Sequence, residues 1–166
     1  MNDKIIERDL DEIDSVTPKP MFDVSAYEGK RVKIADVKEL EVIDYYNGEG
    51  GTYNPNSTDK KHIISITTES LKKVDEGGNF TSELYTYHDE LSNTDKTVSV
   101  DARLGLKFEK DKKTWVISKH PKAKLWKFMR KLGVEKLSEL KGKFVTLTSE
   151  PSSNPEDDRS YLRIAL

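Results

Sequence analysis

Cysteine is absent from this chain, which removes disulfides, a thiol nucleophile and thiolate zinc sites from consideration. Long apolar runs are absent as well. Nothing approaches the ~18 residues that a membrane-spanning helix needs, so no membrane span is expected. The first residues, MNDKIIERDLDEID, lack the apolar stretch of a secretory signal, and a cytoplasmic protein is the expectation. On that reading the acceptor patterns at Asn56-Ser-Thr and Asn79-Phe-Thr are chance matches. Catalytic motifs are also missing: there is no GxxxxGK[ST] and no GxSxG, and Gly48-Glu-Gly-Gly51 is not followed by a helix start. His62, His88 and His120 stand at no metal-ligand spacing, and Asp89-Glu90 and Asp101 read as solvated acids rather than a cation site. A binder without enzymatic activity, cofactor or metal is therefore expected.

What the chain does have is charge. Charged residues make up 35 % and apolar ones 34 %, so a core forms only if some segments stay outside it. At 166 residues the simplest division is one domain with a tail: a mobile acidic arm over 1–20 and a β domain over 21–166. In the arm, Ile5, Ile6, Leu10 and Ile13 can line one face of a short helix, which the prolines of Thr17-Pro-Lys-Pro20 stop. The charge is unevenly spread. Lys107 to Lys143 holds 13 Lys/Arg against 4 Asp/Glu, a net of +9, while the remainder holds 15 against 26, a net of −11. A near-neutral total thus conceals a polarised protein.

Most of the periodicity is that of strands. From Arg31 to Tyr46, Val32 and Ile34 alternate with charged residues, the phase slips by one, and Leu40 and Val42 resume it, as a β-bulge would leave it. Asn47 to Lys61 is a long, mobile Gly/Asn/Pro-rich connection. The β-branched His62 to Thr68 predicts a core strand. Asp75 to Asn79 predicts a turn, Ser82 to His88 an alternating strand, and Thr97 to Phe108 another with Val98, Val100, Ala102, Leu104, Leu106 and Phe108 on one face. A charged turn, Glu109 to Lys113, leads into Thr114 to Ser118 as its partner. Pro121 suits a first helical position and Gly133 the residue past the end. Between them Leu125, Phe128, Met129 and Leu132 form a buried stripe, with Lys124, Lys127, Arg130 and Lys131 opposite and Trp126 at the border. A short helical piece over Val134 to Leu140, a strand from Phe144, an acidic loop and a last strand from Ser160 complete the chain.

Bent strand, meander strands, helix and final strands predict a mainly β fold: a small barrel of five to seven strands with one short helix inserted before the last ones. The C-terminal third resembles the OB-fold single-stranded-DNA-binding proteins of phages and some prokaryotes. The resemblance rests on the lysine-rich Lys124–Gly133, the turn Leu137-Ser-Glu-Leu140, the Gly142-Lys143 strand start, Phe144–Thr148, and Tyr161-Leu-Arg-Ile164 in the last-strand position. It implies a replication or repair role in binding single-stranded nucleic acid, DNA more than RNA, without strong sequence preference. Stacking rings and phosphate-binding cations would then be required.

Tyr85 and Tyr87 share one side of their expected strand and could stack bases, or pack as a cross-strand pair. Tyr45, Tyr46 and Tyr53 flank the Gly/Asn-rich connection, and Trp115 starts the strand after the charged turn, as a stacking ring or a core one. Lys110, Lys112, Lys113 and Lys119 surround that hairpin and suit phosphates, with Lys61 and Arg103 at the margins. The helix lysines read as a solvated face. The second reading, from another class, is a β-barrel adaptor that recognises a protein partner through its polarised charge.

Overall fold

A computed structural model describes residues 4–15 and 22–166. Eleven strands are formed among them: β1 (Arg31–Ile43), β2 (Lys60–Thr68), β3 (Lys72–Val74), β4 (Phe80–Leu84), β5 (Thr86–Asp89), β6 (Thr94–Thr97), β7 (Asp101–Gly105), β8 (Lys107–Glu109), β9 (Thr114–Val116), β10 (Phe144–Pro151) and β11 (Ser160–Ile164). The fold is mainly β, with one α-helix, α1 (Lys124–Lys131).

Five strands make the main sheet, in the order β11-β10-β1-β2-β7, all antiparallel. The segment β10-β1-β2-β7 is a Greek key, in which the fourth strand returns to lie beside the first. β1 holds the sheet together because it is shared: Arg31 to Lys33 pair with β10, and Ile34 to Ile43 pair with β2. The register shifts between Ile34 and Asp36, so the bulge expected from the slipped alternation is there. Among the described residues the sheets are not closed into the small barrel expected. β7 and β11 approach within 8 Å between Cα atoms, but no ladder joins them among the described residues and the sheet stays open. Three two-stranded hairpins (β3–β4, β5–β6, β8–β9) carry the rest.

β2 lies between β1 and β7, and its β-branched run suits that place: Ile63 to Ile66 are buried on both faces. One face meets the core, where Ile34, Ile64, Ile66, Leu104, Val145, Leu147 and Ile164 gather beneath α1. The helix contributes Leu125, Phe128 and Met129, each burial adding about 1.5–3 kcal/mol before entropy is subtracted. Gly133, at φ +70°, ends it as expected.

Several expectations shift. The helix begins at Lys124 rather than Pro121, because His120 draws the intervening residues into a turn: its carbonyl accepts from Ala123 N–H (2.9 Å) and its Nδ1 from Lys122 N–H (3.1 Å). The following helical piece shortens to a 3-10 turn, Leu137–Leu140. The strand expected over Ser82 to His88 breaks at Tyr85, whose N–H turns to Leu71 O at 2.8 Å. Thr97 to Phe108 is likewise interrupted, although Val100 and Leu104 stay buried and Val98, Ala102 and Leu106 pack against the core. In the arm, Ile5, Ile6, Leu10 and Ile13 are exposed and only Leu10–Glu12 turns helically. The proline stop at Thr17 to Pro20 and the boundary at 20/21 lie outside the described residues.

Candidate nucleic-acid interface

Residues directly opposite one another on paired strands point to the same side, so the register of β1, β2 and β7 defines the outer face away from the core. One row is Lys38, Ser65 and Arg103; the next is Leu40, Ile63 and Gly105; beyond it Val42 faces Lys61. On the same face, beyond Lys38 in the opposite direction along the strands, lies an acidic row, Asp36, Thr67 and Asp101. Lys38 and Arg103 are exposed and flank the buried Ser65, their strands about 10 Å apart. Gly105 leaves bare backbone, since a Cβ there would meet nothing within 4 Å. The face therefore offers two cations, an apolar floor and an open patch of main chain, bordered by the carboxylates of Asp36 and Asp101.

At its end stands a group of rings. Tyr45, Tyr46 and Tyr53 are 41, 64 and 62 % exposed, yet in contact: Tyr53 lies 6.2 Å from Tyr45 and 5.7 Å from Tyr46 between centroids. The connection that carries them is knitted rather than loose. Asp44 N–H donates to Asp59 O (2.7 Å), Ser57 Oγ to Asp44 O (2.6 Å), Asn47 Nδ2 to Asp59 Oδ2 (2.6 Å) and Asn54 Nδ2 to Asn47 Oδ1 (3.3 Å). Gly50 and Gly51, both at positive φ, make the tight turn that brings Tyr53 back to Tyr45. Lys61 stands beside Asp44 at 3.7 Å.

The β8–β9 hairpin docks at the same end of β2 but on its opposite face, since His62 alternates with the outward Lys61 and Ile63. Trp115 stacks on His62 with centroids 5.0 Å apart and planes 8° from parallel, and Phe108 backs it at 5.4 Å. Lys110, Lys112 and Lys113 stay exposed on the hairpin's turn. The docking ring is held by charge. His62 Nδ1 contacts Glu39 and Nε2 contacts Glu41 at 3.0 Å. Glu39 raises the imidazole above its usual 6.5, partial burial opposes this, and Glu41 adds to the rise. In turn His62, then Lys60, holds the Glu41 carboxyl low. Trp115 is thus half-buried between rings and beside two carboxylates, a poor seat for a base.

The other sequence-selected residues lie apart. Tyr85 is half-buried, edge-on to Phe22 at 4.9 Å, in a ring group with Tyr27 and Phe80. Tyr87 is exposed on β5 opposite Lys96. The two tyrosines do not share a continuous strand. Lys119 lies over the Trp126 ring at 5.1 Å. Tyr161, between Arg159 and Arg163, spends its hydroxyl on Asp157 at 2.9 Å. Sequence reasoning missed Lys38, whose side is decided only by the bulge, and Phe144. The alternation could have flagged Phe144: it sits out of phase with the buried Val145 and Leu147, so its ring faces outward.

Among the described residues no cluster of His, Asp or Glu could hold a metal ion, and no helix is long and apolar enough to cross a membrane. No family model, curated protein or solved structure matches this chain.

Proposed function

We propose that this chain is an OB-fold-like protein that binds single-stranded nucleic acid, DNA foremost, without strong sequence preference. The strand order supports the fold reading. Counting only the main sheet, its five strands run 5-4-1-2-3 in space, with α1 between the third and fourth. An OB-fold is a five-stranded, partly open Greek-key barrel that binds oligonucleotides on its strand 2–3 face and adjoining loops. Here that face is β2–β7 and the first adjoining loop carries the tyrosines.

The observation that carries the proposal is the placement of three exposed tyrosines, two of them paired with Tyr53, at the end of a face crossed by Lys38 and Arg103. Every base has a π-face, so stacking tolerates sequence, at about 1–3 kcal/mol per base. Phosphates fall to Lys38, Lys61 and Arg103 on this face; Lys110, Lys112 and Lys113 extend from the hairpin docked on the opposite face of β2. Aromatics interleaved with cations are what a single strand needs, and a protein-binding adaptor does not require them.

The test is fluorescence anisotropy of a labelled oligo-dT at low and moderate salt. Binding should weaken with salt, and Tyr45→Ala with Tyr53→Ala should weaken it at every salt concentration. Absence of binding at low salt would overturn the proposal and leave a protein partner as the ligand to seek.

A further inference from the structure

A second basic and aromatic zone lies at the other end of β1. Phe144, on β10, is directly opposite Lys33 and is 45 % exposed. The Arg31 guanidinium lies over its ring at 5.3 Å and the Lys33 ammonium at 5.4 Å. Together with Lys72 and Phe80 from the β3–β4 hairpin they line a cleft of about 260 Å³. Lys30 stands at its margin, 5.7 Å over the Phe80 ring and bonded to Gly78 O. The one carboxylate in the lining is Glu69, and neither Arg31, Lys33 nor Lys72 has an ion-pair partner among the described residues.

Arg31, Lys33 and Lys72 set three positive charges against the single carboxylate of Glu69, a surplus that a bound anion neutralises. Their pairing with two rings narrows the anion. A bare phosphate would not use Phe144 or Phe80, and an apolar ligand would not use the cations. A nucleotide uses both, with its base on Phe144 or on the planar Arg31 guanidinium and its phosphates on the cations.

We propose that this cleft is a second contact for the same single strand, separate from the tyrosine face. The inference rests on the proposed function. Between the two zones lies the acidic row of Asp36 and Asp101, with about 16 Å of β1 separating Lys33 from Lys38. The strand is gripped at both zones, and the phosphates between them stand off the face. Short oligonucleotides then engage one zone only, and longer ones gain the second.

The experiment measures affinity against oligo-dT length, from about 4 to 16 nucleotides, the usual range for one OB-fold. Wild-type affinity should keep rising into the upper half of that range. Phe144→Leu, which keeps an apolar side chain and loses the ring, should cost the longer oligonucleotides roughly 5- to 150-fold, the equivalent of one stack. Arg31→Ala with Lys33→Ala should flatten the length dependence and lower the slope of log K against log salt by about 1.4, two phosphate contacts on a single strand. Glu69→Gln should tighten binding. Thermal melts of each variant separate lost contacts from lost folding, and Glu69→Gln remains informative even if a ring variant unfolds. If wild type binds and the tyrosine variants weaken it, but the cleft variants change nothing, this inference fails and the proposed function stands. If wild type binds no oligonucleotide, both fall.

Discussion

Two sets of tyrosines in this protein have opposite surroundings. Tyr27 is 3 % exposed, stacks on Phe22 at 5.0 Å and donates its hydroxyl to Lys72 O at 2.8 Å; Tyr85 closes edge-on against the same Phe22. Tyr45, Tyr46 and Tyr53 touch only one another among rings and face solvent. The difference comes from what the chain brings over each ring. The short segment before β1 and the β3–β4 hairpin cover the first set, whereas the knitted connection presents the second. A ring's residue type gives its reach, and its neighbours decide whether it stabilises the fold or stays free to stack.

Removing a covered ring should have the largest effect. Tyr27→Ala is expected to lower stability by about 3 kcal/mol or more, as truncations of large buried aromatics do. Urea denaturation reads this directly, and a loss under about 1 kcal/mol would erase the distinction between the sets. The reciprocal change is smaller. Tyr53→Ala should leave stability within about 0.5 kcal/mol while reducing oligo-dT affinity by about 1–3 kcal/mol. An unstable Tyr53→Ala protein would mean that the exposed group is structural.

Trp115 is the intermediate case, a ring covered on one side by an ionisable one. The folded-state pKa of His62 is raised, so its charged contacts contribute fully below about pH 6.5 and fade as pH rises through a higher midpoint. Trp115 fluorescence, followed in a Trp126→Phe background, should titrate above pH 6.5 and cease to do so in His62→Gln. A flat trace in the parent would show that the stack does not depend on that charge.

The pattern of apolar residues made much of this legible. The slipped phase in β1, the buried stripe of α1, the turn at Asp75 to Asn79 and the positive-φ Gly133 are local events, and local residues announce them. The break at Tyr85 is not local: Leu71 O, just before β3, captures the Tyr85 N–H, and no alternation reveals a partner in advance. The site divides in the same way. Residue type points to Lys61, Tyr45 and Tyr53, which fall at one end of the sheet, and to Arg103, two rows further in. Tyr85 was chosen for its spacing to Tyr87, and spacing says nothing of Phe22 lying across it. Nor does the Asn, Gly and Pro content of the connection reveal its internal contacts, in which the same asparagines supply side-chain hydrogen bonds.

Ala35, the residue at the shift between Ile34 and Asp36, has a consequence for the charge map of the whole sheet. In an unbroken strand, odd- and even-numbered residues would emerge on opposite sides throughout. Because one residue is inserted, odd-numbered Arg31 and Lys33 and even-numbered Lys38 come out on the same side. Delete that single methyl-bearing residue and every side chain on one half of β1 changes sides relative to the other. Ala35, with no charge or ring of its own, thereby acts as the parity switch that puts both basic zones on one side of the sheet.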